Sequence, residues 1–508
     1  MKRACGVLLP VFSLPSAYGI GCFSKEAYAF VDFLSAAGVT YWQVLPMGPT
    51  GYGDSPYQSF STFAGNPYFI DPETLAKDGW IDAAALRRYE FGRDKTRVDY
   101  GMLYQNRLKM LREAYAGSPF GKGGSGLEVR EFHAFVRKNK DWLPDYALFM
   151  ALKEAHEGKP WDTWEEDLRL RRTRAINLSR RQYADEIAFH YFLQFVFDKQ
   201  WRALKLYAAK KGVQIIGDLP IYVAYDSSDV WAQPELFDLD EEGHMIEVAG
   251  CPPDDFTKTG QLWGNPLYRW EVHKKQRYAW WAERLRYAFT LCDAVRIDHF
   301  RGFEAYYCIK ASRKTAEKGV WRKGPGAALF QAVKKAIGPQ QIIAEDLGFL
   351  TPAVHRLKEG LGFPGMKVLQ FAFYPDEDGK YSSDYLPYQY EKNCIVYTGT
   401  HDNHTTCGWW ETLKKKDAAC VLRYLDVRET EEKKIPQAVT EAMVRAALAS
   451  TADTAVIPMQ DLLVLGADAR INTPSTIGNN WVWRMKSGAA SKALAARLRA
   501  LADVYGRV

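Results

Sequence analysis

No apolar run in this chain approaches the roughly 20 residues that a helix needs to cross a bilayer. Excess charge of one sign is also lacking. With 67 Lys and Arg against 61 Asp and Glu, the net charge of +6 is spread over 508 residues, too dilute to mark a nucleic-acid binder. The densest basic run, 169-RLRRTR-174 with Arg180 and Arg181 beyond it, reads as a phosphate-binding patch or as a solvated helix face; the second is the simpler reading. Cysteine is sparse: eight residues at 5, 22, 251, 292, 308, 394, 407 and 420, with no CxxC pair. That scatter excludes a disulfide framework and points to reduced thiols in a reducing, cytoplasmic compartment. The opening MKRACGVLLPVFSLPS has the charged start of a signal peptide, but its short apolar run is broken by Pro10 and Pro15 and reads as strand and loop.

What is present is an ordinary globular composition, 47% hydrophobic and 25% charged, with aromatics at 14%. Short apolar runs ending in polar or glycine-rich loops recur at 5–12, 39–46, 213–220, 294–298, 341–346, 366–373, 394–402 and 455–461. Helical spacing precedes most of them, as with Trp281, Leu285 and Ala288 in 278–292. Eight strand candidates alternating with helices predict an α/β fold, a closed (β/α)8 TIM barrel in preference to an open doubly wound sheet. The whole of 1–508 then forms one barrel domain. Residues 60–205 form an inserted, mainly helical subdomain between the second and third strands, in which Leu108, Leu111 and Tyr115 keep helical spacing and 117–126 reads as a mobile linker. Residues 225–275 form an insertion with a substrate loop after the third strand. The tail is too short for a C-terminal β-sandwich.

Ionisable groups gather at the ends of those runs: Asp218, Arg296 with Asp298, Glu345 with Asp346, His401 with Asp402, and Gln460 with Asp461. In a barrel these ends make one rim, where active sites lie. Arg296 and Asp298 are two apart and share a strand face, and a positive neighbour favours the charged carboxylate that a nucleophile needs. Glu345 follows Ile342, Ile343 and Ala344, and burial there favours the protonated form that a general acid needs. Two carboxylates in such contrasting surroundings are the minimum for glycoside chemistry. Asp402 with His401 suits sugar hydroxyls. Each signal has a plainer reading. Asp298 and Arg296 also read as a structural ion pair, Glu345 as a helix cap, and His401, Asp402 and His404 as metal ligands, although their spacing lacks a familiar zinc pattern. Tyr57 and Trp263, in polar, glycine-rich surroundings, offer flat rings to pyranose faces, whereas Trp280 and Trp281 read as core.

The segments 51-GYGDSPYQS-59, 217-GDLPIYVAYDSSDVW-231, 252-PPDDFTKTGQLWGNP-266, 295-VRIDHFRG-302, 344-AEDLG-348, 400-THDNHT-405 and 458-PMQDLLVLG-466 run through nearly the whole chain. In this order the chain resembles the 4-α-glucanotransferases of glycoside hydrolase family 77, in the α-amylase clan. The resemblance implies transfer of 1,4-α-glucan segments by retaining double displacement, on 1,4-α-glucans and maltooligosaccharides, with no metal or organic cofactor. It implies Asp298 as nucleophile, Glu345 as general acid/base and Asp402 as transition-state stabiliser. Arg296 and His401 would orient the nucleophile and the sugar hydroxyls, and Tyr57, Asp218, Trp263 and Gln460 would touch substrate. In 473-TPSTIGNNW-481 the family more usually has Gly after the Pro, so Ser475 leaves the shape of that loop open. An α-glucan hydrolase with the same carboxylates and a non-catalytic glucan-binding barrel are the rival expectations.

Overall fold

Each of the eight apolar runs contains a strand, and the strands lie side by side in chain order. The computed structural model describes residues 2–51, 53–253, 257–348, 350–374 and 383–508, among which twelve strands form two sheets. In sequence they are β1 (Ala4–Leu8), β2 (Tyr41–Gln43), β3 (Gln214–Pro220), β4 (Glu247–Cys251), β5 (Gln261–Pro266), β6 (Ala294–Asp298), β7 (Ala305–Lys310), β8 (Val320–Lys323), β9 (Ile342–Ala344), β10 (Gly365–Val368), β11 (Cys394–Tyr397) and β12 (Thr454–Pro458). The larger sheet is parallel throughout, in the order β10-β11-β12-β1-β2-β3-β6-β9. Its two ends meet where the Ala344 N–H donates to the Pro364 carbonyl at 2.9 Å. This is the (β/α)8 barrel. Alternate residues point inward, and Ala4, Leu8, Tyr41, Ile216, Ala294, Ile343, Met366, Ile395 and Val456 pack as one plug.

Between β2 and β3 the chain runs through helices. The longest, Ala184–Lys210, buries aromatic and aliphatic residues over most of its circumference: Phe189, Phe192, Leu193, Phe195, Val196, Phe197, Trp201 and Leu204. A helix apolar on all sides must lie inside, and this one sits between the barrel and the other helices. Two of its glutamines clamp the chain leaving β2. Gln194 exchanges two hydrogen bonds with the Gly65 backbone (2.7 and 2.9 Å), and Gln200 does the same with Asp71 (2.7 and 3.3 Å). Leu108, Leu111 and Tyr115 lie on helix Tyr100–Gly117 as expected. Within 117–126, read as a mobile linker, the Phe120 ring packs 5.0 Å from Phe132 and 5.3 Å from Trp80, while 121–126 are exposed. The basic run is spent on pairing: Arg171 and Arg180 share Asp145, and Arg171 also covers the Trp231 ring.

The second sheet is antiparallel, in the order β5-β4-β7-β8, and joins the chain after β3 to the chain after β6. The 252–266 segment, expected as a loop, therefore ends in strand β5, which carries Trp263; Asp254, Asp255 and Phe256 lie outside the described residues. Among the described residues no strand follows β12, and none of the helices is long and apolar enough to cross a membrane.

Candidate active site

Parity along the strands sets the chemistry above the apolar plug. Ile216 faces inward, so Asp218 does as well; Ala294 brings Arg296 and Asp298, and Ile343 brings Glu345. Register then fixes their heights. Asp218 is level with Arg296, and Ile297 with Ala344, which sets Asp298 beside Glu345 on neighbouring strands. The ladder continues to that point, since the Glu345 N–H donates to the Ile297 carbonyl at 3.0 Å.

Arg296 organises the rim. One terminal nitrogen donates to both oxygens of Asp218 (2.8 and 2.7 Å), and the other to Asp298 Oδ1 at 2.8 Å. Its side chain is 4% exposed, and Asp218 is 0% exposed, whereas Asp298 is 32% exposed. Burial works against the Arg296 charge, but Asp218 and Asp298 outweigh it and hold the guanidinium well above its usual range. Asp298 is thus the open member of the trio. Asp218, expected to touch substrate, has a buried side chain that holds the arginine.

From Asp218 the hydrogen bonds continue around the rim. The Tyr57 hydroxyl donates to Asp218 Oδ2 at 2.8 Å and lies 2.8 Å from His401 Nε2. Because the Tyr57 proton is committed to a carboxylate, its oxygen accepts, and His401 carries hydrogen on Nε2. The same nitrogen is 3.3 Å from Asp402 Oδ2, and the Tyr57 and His401 rings stack 5.3 Å apart. Arg296, Asp218, Tyr57, His401 and Asp402 therefore form one chain across four segments. Asp402 is 42% exposed, with Oδ1 held by Asn472 Nδ2 at 2.6 Å and its carbonyl held by Arg470.

Glu345 is held differently. Its Oε2 accepts the His299 N–H at 2.8 Å and its Oε1 the Leu347 N–H at 2.9 Å. His299 aims that N–H from a left-handed backbone, φ 50°, directly after Asp298. Burial, with the Asp298 charge second, raises the Glu345 carboxyl to about 8. The protonated acid and the exposed carboxylate thus stand on adjacent strands. On the far side of His299 the Trp263 ring lies edge-on at 4.7 Å, and Tyr222 stands 6.2 Å from Trp263.

The geometry gathers Asp298, Glu345, Asp402, Arg296, His401, Tyr57 and Asp218 in one rim with Trp263 at its border. It does not bring Gln460 into that chain. Gln460 is buried on the short helix Met459–Leu462 and donates to the Ala469 carbonyl at 3.2 Å. Its neighbour Asp461 accepts from Thr398 and from both the backbone and hydroxyl of Thr406, pinning the loop that carries His401 and Asp402. Sequence reasoning gave no role to Asn472, Arg470, His299 or Trp481. His299 stands in the quoted 295–302 cluster of ionisable groups, and Trp481 is an aromatic within a polar, glycine-containing loop; its ring lies 5.8 Å from Tyr57 and 6.0 Å from His401.

Comparison with known proteins shows the family and the fold. A family model described as 4-α-glucanotransferase matches residues 9–490. A 4-α-glucanotransferase from Thermus thermophilus is 48% identical over 513 residues, covering 100% of each chain. One from Clostridium butyricum is 45% identical over 499 residues, covering 98% of this chain and 99% of that one. Among solved structures, the amylomaltase from Streptococcus agalactiae in complex with acarbose aligns with a TM-score of 0.94 at 41% identity, covering 100% of both chains. Matched along its full length in sequence and in fold, the chain belongs to the 4-α-glucanotransferase family.

Proposed function

We propose that this chain, a glycosyl-transferring enzyme by family, moves segments of 1,4-α-glucans and maltooligosaccharides by retaining double displacement, with Asp298 as nucleophile and Glu345 as general acid/base. The observation that carries the reading is the pairing of an exposed carboxylate held by Arg296 with a proton-holding carboxyl level with it on the next strand. Neighbouring strands are roughly 4.8 Å apart. Carboxyls rising from neighbouring strands can reach the ~5–5.5 Å separation of retaining enzymes, whereas a separation of about 9 Å would indicate inversion.

An Asp298 oxygen attacks the anomeric carbon as the bond to the departing O4 breaks and Glu345 gives its proton to that oxygen. The product is a glycosyl ester on Asp298. The 4-hydroxyl of an acceptor then attacks the same carbon, the ester bond breaks, and the hydroxyl proton returns to Glu345. One glycosidic bond is lost and one formed. Asp402, oriented by Asn472 and His401, accepts hydrogen bonds from the sugar at the reacting centre and stabilises its developing positive charge. Tyr57 and Trp263 line the sugar's path, and a bound acceptor outcompetes water through its effective concentration. The segments around 252–266 and 458–466 are the regions assigned to acceptor holding and water exclusion. The eight cysteines form no disulfide among the described residues, which supports a cytoplasmic location.

Incubation with maltotriose alone tests the reading. A ladder of longer and shorter oligosaccharides with constant total reducing ends is expected; rising reducing ends with only shorter products would mean hydrolysis. Asp298→Asn is expected to remove nearly all turnover with an unchanged circular dichroism spectrum, and substantial residual turnover would overturn the nucleophile assignment.

A further inference from the structure

Asp346 follows Glu345 directly, yet by parity it points away from the rim, into the layer between barrel and helices. It is buried there with Lys358 of helix Pro352–Leu361, whose ammonium donates to Asp346 Oδ2 at 2.9 Å. The other oxygen accepts the Met366 N–H of β10 at 2.6 Å. The cradle is shaped for this carboxylate: a Cβ on Gly365 would lie 2.3 Å from Asp346 Oδ2, so only glycine fits beside it. The mechanism above does not use this pair.

We propose that Asp346 and Lys358 are positioning residues for the transfer reaction, fixing the backbone from which Glu345 projects. The inference rests on the reading of Glu345 as acid/base. Three elements, β9, β10 and helix Pro352–Leu361, are tied at one carboxylate, and Glu345 is one peptide away. A displacement of about 1 Å there is enough to spoil proton transfer to the glycosidic oxygen. The charged groups facing Glu345 are Asp298 and Arg296 from β6 and Asp346 from its own segment, with the Tyr385 hydroxyl group from the 383–391 segment. Lys358 is faced by Asp346, Glu391 and Glu359, and Asp346 also by Cys394 and Tyr385. Among these, Asp346 is a like charge that favours the protonated acid.

The test uses the full chain with maltotriose and reads kcat, KM and the pH profile of kcat/KM. Lys358→Met is expected to lower kcat about tenfold or more with KM within about twofold of wild type, and Lys358→Arg to recover most of the loss. Because Lys358→Met leaves a buried charge unpaired and risks misfolding, Asp346→Asn/Lys358→Met, with neither charge present, supplies the second measurement. In that variant kcat is expected to stay about tenfold or more below wild type with KM within about twofold, while the basic limb of kcat/KM stays near wild type because the like charge and its counter-charge leave together. A folded Lys358→Met or a folded double variant with wild-type kcat would overturn the proposal and leave the pair purely structural. A wild-type chain that fails to transfer from maltotriose or amylose would overturn the underlying reading instead.

Discussion

Ser475 adopts a left-handed backbone, φ 63°, at the position where glycine is more usual in the family. The substitution noted in the sequence therefore changes cost, with the backbone still in the region that glycine takes freely. An L-residue there costs roughly 1–2 kcal/mol, partly offset by glycine's greater freedom in the unfolded chain. Ser475→Gly is expected to stabilise the protein by about 0.5–1 kcal/mol in urea denaturation, and a loss of stability would contradict this reading. Trp481, six residues on, has the same backbone strain at φ 63° while buried beside Tyr57 and His401, as expected where a site imposes its geometry. At this scale Asp298, Glu345 and Asp402 were legible because each sits where an apolar run stops. His299 and Asn472 were not, because one acts through its backbone N–H and the other from a distant loop. Glu345 yields a second prediction. A general acid raised to about 8 loses its proton as pH passes that value, so kcat/KM is expected to fall on a basic limb near pH 8. Activity undiminished at pH 9.5 would show that another group protonates the leaving oxygen.

Elements were read well where a run is apolar throughout and poorly where burial is shared. All eight barrel strands announce themselves because both of their faces are covered. The second sheet does not: 247-EVAGC-251 and 261-QLWGNP-266 carry Gly, Asn and Pro, residues depleted in strands, and the partner that ties them to the rest of the sheet, β7, lies about 60 residues beyond β4. Helix Ala184–Lys210 was likewise invisible as an organiser, since its clamps are side-chain amides bonded to remote backbone. Gln194 is the sharper case, satisfying both the N–H and the carbonyl of Gly65 in the interior. Gln194→Met keeps the bulk and leaves both groups unpaired, at roughly 1–3 kcal/mol for each. A stability loss of about 2–4 kcal/mol is expected from the shift in denaturation midpoint, whereas a change below about 0.5 kcal/mol would mean that Gly65 finds other partners.

At the scale of the whole molecule, the count of strands alternating with helices favoured a barrel over an open sheet but periodicity does not show closure, and buried charge was not legible, because no sequence pattern reports the depth of a histidine. His190, His273 and His299 are all depressed by burial from 6.5, to about 3, about 4 and about 4. His190 is the extreme, enclosed in the helical layer with neither ring nitrogen hydrogen-bonded to a described group. Unfolded, these rings take up protons below about 6.5; folded, they resist until about 3 or 4, so stability drains away as pH falls through that window. Glu345 has the opposite sign. Its folded form keeps a proton up to about 8, while the unfolded form gives it up near 4.5, so this group erodes stability as pH rises between those values. The two effects press from opposite sides. His190→Leu is expected to flatten the acid-side decline of Tm between pH 6.5 and 4, and Glu345→Gln to flatten the decline between pH 5 and 8 while abolishing transfer. If His190→Leu left the acid slope of Tm unchanged, its ring would have to be hydrated and titrating in the folded protein. If Glu345→Gln left the alkaline slope unchanged, the proton that the proposed mechanism delivers to the leaving oxygen would not be held on Glu345.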